Sequence, residues 1–281
     1  MTVQRWYSLV GMALVLGSMS ALSARAQSSV GKHCMTAADV SLDDRIAGCT
    51  AVIESERSTP PIVVSAYFAR AAAYFRKGDL DHAIADYDRI IQHPPTEFSS
   101  RDRPDTHPRG DDPVPAIAVS DRTFDPDLRS ARAYRARGIA SFQAGLLAQS
   151  RDDFKRLSER DPKDAYAALW LDLARRRSGL ASELAGAAGR FDMQKWPAPI
   201  VRFFLGQETL DAVLAAADDP NPVTSRTHVC EASFFAGELL LQQGAEARAV
   251  RLIDRALQDC PRTSGERSVA DAEARMLSVM P

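Results

Sequence analysis

The sequence predicts an all-α fold, a solenoid of antiparallel helix pairs closed by a capping helix at each end. Three observations carry that prediction. Five glycines (Gly78, Gly145, Gly179, Gly206 and Gly244) punctuate the chain, and three of them sit in helix-turn-helix segments of one pattern. Those segments are Val64 to Pro95, Ala131 to Pro162 and Cys230 to Pro261, and each closes on a proline. Among the remaining segments, no alternating run competes as a strand.

Counted from its first residue, each copy has its glycine at position 15, where the first helix ends and the chain turns sharply, a geometry that costs a residue without Cβ little. The proline at position 32 follows the second helix and stops it. Position 8 is small (Ala71, Gly138, Gly237), as is position 20 (Ala83, Ser150, Ala249), so the two helices of a pair can approach closely. Position 24 is large (Tyr87, Phe154, Ile253) and fills the adjoining space. Tyr67 with Tyr74, and Tyr134 with Phe142, supply further bulk to the first helices. In period, glycine, small residues and closing proline these segments resemble the tetratricopeptide repeat (TPR). That resemblance implies a TPR-type α-solenoid in which one pair cannot bury its apolar face alone and neighbours share a continuous core.

From the N-terminus, residues 1–26 read as a signal peptide: Arg5, an apolar run from Leu9 to Leu22, and Ala24-Arg25-Ala26 as a cleavage site. Residues 27–40 form an N-terminal arm, and Ser41 to Glu56 reads as a lone helix packing on the first pair. Residues 96–126 read as an inserted loop, because seven prolines between Pro94 and Pro126, with many Asp, Arg and Ser residues, leave no apolar helix face. Residues 164–188 form a degenerate pair with Tyr166, Leu169, Trp170 and Leu173 on one side of its first helix. A second degenerate pair, 198–218, turns at Gly206 and stops at Pro220 and Pro222. Thr263 to Leu277, with Thr263 and Glu266 in capping-box spacing, reads as the closing helix of a helical domain spanning 41–281.

The four cysteines are even in number and all follow the cleavage site, which points to disulfides in an oxidising compartment. Hairpin geometry pairs Cys230 with Cys260, at one end of the third copy, and leaves Cys34 with Cys49. No CxxC and no clustered histidine supports metal or redox chemistry. Losing residues 1–26 removes Arg5 and Arg25 and no acid, taking the formal charge from −2 to −4, which argues against nucleic acid as a partner. The apolar run is short for a membrane span, so an exported chain with no stable membrane insertion after cleavage is expected.

No catalytic motif, phosphate loop or metal-ligand spacing stands out, and neither an enzyme activity nor a cofactor is expected. Binding is. In a TPR stack the first helix of each pair faces a groove, and its groove positions here are Phe68, Ala72, Phe75 and Arg76, then Arg132, Arg135, Ile139, Phe142 and Gln143. The last copy adds Glu231, Phe234, Phe235 and Glu238. Aromatics beside close arginines suit an extended protein or peptide ligand carrying a carboxylate.

The segments WPAPIVRFFLGQ from Trp196, CEASFFAGELLLQQG from Cys230 and ALQDCP resemble the NlpI-like TPR proteins of the bacterial envelope. The resemblance implies a periplasmic adaptor that docks peptidoglycan hydrolases and a processing protease, often as a homodimer. This chain departs from that pattern in having no lipid-acceptor cysteine after its apolar run and in the proline-rich insertion. A structural subunit of an envelope or secretion complex is the other reading of the same features.

Overall fold

In the computed structural model the described residues are 33–35, 40–55, 58–92 and 126–279. The expected signal peptide, most of the arm and the inserted loop up to residue 125 lie outside them. Beyond the helical residues 33–35, the described residues form twelve helices in order: α1 Leu42–Ile53, α2 Pro60–Lys77, α3 Leu80–Gln92, α4 Pro126–Gln143, α5 Leu147–Arg160 and α6 Ala165–Arg177, then α7 Leu184–Ala188, α8 Ala198–Phe204, α9 Leu210–Ala216, α10 Pro222–Gln242, α11 Glu246–Asp259 and α12 Gly265–Val279. There is no strand among the described residues. The architecture is an all-α solenoid, each helix from α1 to α6 packing on the next.

Local chemistry sets the boundaries. The Ser41 hydroxyl accepts from the Asp44 amide at 3.1 Å to open α1, and Asp164 and Thr209 cap α6 and α9 in the same way. All five glycines are left-handed, with φ between 70° and 83°. At each the glycine amide bonds the carbonyl three residues back and the next amide the carbonyl five back, as in Gly145 to Phe142 at 3.1 Å and Leu146 to Ser141 at 2.8 Å. That pairing closes the helix end and reverses the chain.

Small residues at position 8 meet large ones at position 24. A Cβ on Gly138 would lie 2.8 Å from the Phe154 ring, and one on Gly237 3.0 Å from Ile253 Cδ1. A second register accompanies this one. Arg70 donates from Nε and Nη2 to the two oxygens of Asp86 at 2.8 and 2.7 Å. Arg137 binds Asp153 through the same atoms at 2.9 and 2.5 Å. Both pairs occupy positions 7 and 23, where the third copy has Ala236 and Leu252, packed in one apolar cluster. The remaining guanidinium nitrogen ties each pair to the preceding helix: Arg70 Nη1 to Thr50 of α1, Arg137 Nη1 to Asp88 of α3.

The C-terminal half departs from a simple stack. α4 touches α6, α6 touches α10, α10 touches α12 and α12 returns to α4, so four helices form a closed circuit. Trp170 of α6 is buried at its centre, stacked on Phe154 at 5.6 Å and edge-on to Phe142 at 5.4 Å and Phe235 at 5.6 Å. Burying each such side chain contributes about 1.5–3 kcal/mol.

Several boundaries differ from the sequence reading. α2 begins at Pro60, earlier than Val64, with prolines in its first turn. α10 begins at Pro222, not Cys230, because Pro222 takes the first helical position, where a missing N–H costs nothing, and Asn221 caps the amides of Val223 and Thr224. α4 likewise begins at Pro126, earlier than Ala131. The cap of α12 is Ser264, which accepts from the Arg267 amide at 3.1 Å, and not Thr263. The sulfurs of Cys34 and Cys49 are 2.14 Å apart and those of Cys230 and Cys260 2.03 Å apart. Cys230 therefore lies in mid-helix, and α10 overhangs its hairpin by two turns. Among the described residues no helix is long and apolar enough to cross a membrane.

Candidate functional site

The inner face is built by the first helices of the pairs, α2, α4, α6 and α10. Its exposed candidate residues lie on α2 and at the start of α4. There Ala72, Arg76 and Arg132 are exposed and Phe68 and Phe75 half-buried. The Arg132 guanidinium lies 5.5 Å from the centre of the Phe68 ring, a cation–π contact that joins α2 to α4. Neither Arg76 nor Arg132 has a carboxylate partner among the described residues. A guanidinium over an aromatic ring, as Arg132 lies over Phe68, with the exposed Arg76 on the same helix as that ring, can take an anionic group with an apolar neighbour.

Much of the rest of the expected groove is closed. Ile139, Phe142, Phe234, Phe235 and Glu238 are buried, so they pack the interior and do not line an open surface. The cause is α12, whose Gly265 backbone approaches Ile139 so closely that a Cβ would lie 2.8 Å from it, together with Trp170 against the three phenylalanines. Arg135 is half-buried and engaged by Asp164, the cap of α6. Gln143 is half-buried. Glu231 is half-buried and accepts from the Tyr166 hydroxyl at 2.7 Å and from Trp196 Nε1 at 2.5 Å.

Residues 50–97 match the family model of the tetratricopeptide repeat. The stack is of the tetratricopeptide-repeat type. The match runs from the end of α1 through α3 into the segment beyond it, so it includes the α2 surface that carries Phe68, Ala72, Phe75 and Arg76.

Further into this tetratricopeptide-repeat stack the structure joins Glu238, expected in the groove, to Arg177 and Glu273, which sequence reasoning did not single out. Arg177, at the end of α6, donates from Nη2 to Glu238 of α10 at 2.8 Å and to Glu273 of α12 at 2.5 Å, and its guanidinium lies 4.2 Å from the Phe142 ring centre. Burial pushes the Glu238 carboxyl up to about 8, more than Arg177 pulls it down. Its Oε1 has no hydrogen-bond partner among the described residues. Burial also raises Glu231, despite its two donors, and Glu266 at the start of α12. The Glu238 partner Arg177 lies 61 residues away in the sequence, and Glu273, which shares that arginine, 35, at separations no local pattern reports.

Proposed function

We propose that this protein is an exported, non-catalytic scaffold that holds a protein partner on the accessible part of its inner face. The observation that carries the reading is the pair Arg76 and Arg132 beside Phe68 and Phe75, cations on aromatic surface without an acid of their own among the described residues. The partner segment is extended and presents a carboxylate next to an apolar side chain. Repeat solenoids bind through such extended inner surfaces, which supports a role in recruitment over one in chemistry.

An oxidising compartment is supported by the two cysteine pairs at bonding distance and by the apolar N-terminal run. The resemblance to NlpI-like proteins supports the bacterial envelope as the setting, with peptidoglycan hydrolases or a processing protease as the docked proteins and a homodimer as the working form. Pull-down from a periplasmic extract, comparing wild type with Arg76→Glu plus Arg132→Glu, tests the reading. Partners lost from the variant support it. An unchanged partner list, with helicity intact, removes this surface from the function.

A further inference from the structure

Beyond Arg132 the charge of the inner face changes sign. Counted back from the left-handed Gly179 as position 15, Tyr166 of α6 stands at position 2, as Arg132 does on α4 and Glu231 on α10. α6 touches both α4 and α10, so the three residues form a row across the stack, from a guanidinium through a phenol to a carboxylate. All of Tyr166, Trp196 and Glu231 are half-buried, so none is sealed in the interior. The two donors that reach Glu231, the Tyr166 hydroxyl and Trp196 Nε1, both bind Oε2, and Oε1 has no hydrogen-bond partner among the described residues. His228 stacks on the Trp196 ring at 4.1 Å and fixes its plane.

Two neutral donors do not cancel a charge. Burial outweighs them and holds Glu231 above the usual carboxylate range, and burial together with the Glu231 charge raises Glu266 of α12. Arg135, which draws Glu266 down, is engaged by Asp164. A carboxylate beside two aromatic rings, without a cation among the described residues, is complementary to a lysine or arginine side chain, which meets the charge and the ring faces together.

We propose that the partner segment held at Arg76 and Arg132 continues along this row and sets a lysine or arginine side chain on Glu231, beside Tyr166 and Trp196. Packed helices lie about 8–10 Å apart, so the two steps from α4 to α10 span roughly 16–20 Å, which an extended chain covers in about five or six residues. The segment is therefore bipolar and enters in one direction, carboxylate toward α2 and cation toward α10. The inference rests on the scaffold reading and adds to it a second anchor and the direction of the ligand.

Two measurements on the full chain test it. In calorimetric titration N-acetyl-arginine methylamide, a cation without a carboxylate, is expected to bind wild type, to bind Glu231→Gln about ten-fold more weakly, and to bind Arg76→Glu plus Arg132→Glu unchanged. Glutamine keeps an acceptor for Tyr166 and Trp196, and if Glu231→Gln nonetheless loses helicity, Trp196→Leu serves in its place, with weaker binding again expected. In the periplasmic pull-down Glu231→Gln is expected to lose the partners that the double arginine variant loses. A probe that binds Glu231→Gln as tightly as wild type, or that does not bind wild type, overturns the proposal. Partners kept by Glu231→Gln but lost from the double arginine variant overturn it and leave the scaffold reading standing, whereas partners kept by both variants overturn the two together.

Discussion

Arg137 grips Asp153 with the same two-pronged geometry that joins Arg70 to Asp86 one repeat earlier. Asp153 has no exposed side-chain surface and Arg137 14%. A pair so placed is costly to break and cheap to replace, because removing one partner strands a buried charge whereas removing both removes the desolvation cost as well. Asp153→Ala is expected to destabilise the fold by about 3 kcal/mol in urea unfolding. The double variant Arg137→Ala plus Asp153→Leu, which installs the Ala236 and Leu252 arrangement of the third copy, is expected to recover most of that loss. A double variant as unstable as the single one would show that the ion pair is specifically required.

Glycine positions separate by what surrounds them. Gly138→Ala puts a methyl 2.8 Å from the Phe154 ring, held on its other face by Trp170, and is expected to cost about 1–3 kcal/mol. Gly186→Ala, exposed in α7 with nothing within 4 Å, is expected to be neutral or stabilising by roughly 0.5–1 kcal/mol. Thermal unfolding of the two variants checks the contrast.

Glu238 makes stability depend on pH in a direction opposite to that of an ordinary paired carboxylate. Its carboxyl titrates near 8 in the folded chain and near 4.5 when unfolded, so between those values the folded state holds more protons. Its stabilising contribution is complete below about 4.5 and disappears as pH rises through about 8. The groups facing it are Arg177 of α6 and Glu273 of α12. The melting temperature is expected to fall between pH 5 and 9, and Glu238→Gln, which stays neutral, to flatten that slope. An identical slope in the variant would assign the dependence elsewhere.

The two cysteine pairs carry different loads. Replacing Cys230 and Cys260 by serine frees a separation of 30 residues that joins the middle of α10 to the end of α11, and is expected to cost roughly 3 to 4 kcal/mol. Replacing Cys34 and Cys49 acts at the edge of the stack, in a small cluster with Ala66, and is expected to fray α1 while leaving α4 to α12 intact. Denaturation with and without reductant, with limited proteolysis near α1, distinguishes the two.

The repeat architecture was legible because its signals are local. A glycine at position 15 is needed wherever the backbone turns left-handed, and all five glycines do so. The position 8 and position 24 pairing was legible too, since a residue without a side chain opposite a bulky one recurs in register at Gly138 with Phe154 and Gly237 with Ile253. Position 7 with position 23 recurs in only two of the three copies and was not legible, because an arginine and an aspartate on helices look like solvated surface until the pairing buries them. Pro222 misled in another way: the residue that stops one helix also starts the next, and only the Asn221 cap tells the two roles apart.

The groove shows where local pattern runs out. From spacing alone Phe68, Arg76, Arg132, Phe142, Phe235 and Glu238 share one face, and all six would serve a ligand equally. Folding divides them. Trp170 of α6 packs on Phe142 and Phe235, and α12 returns to α4 at Ile139 and meets Arg177 beside Glu238, so these residues are interior while Arg76 and Arg132 stay open. Helix ends, turns and which residues point inward follow from neighbours a few residues apart, and the order of residues specifies them. Which inner surface stays open depends on how tightly successive pairs curl and on a contact between residues 139 and 265, set by the summed packing of every pair between them.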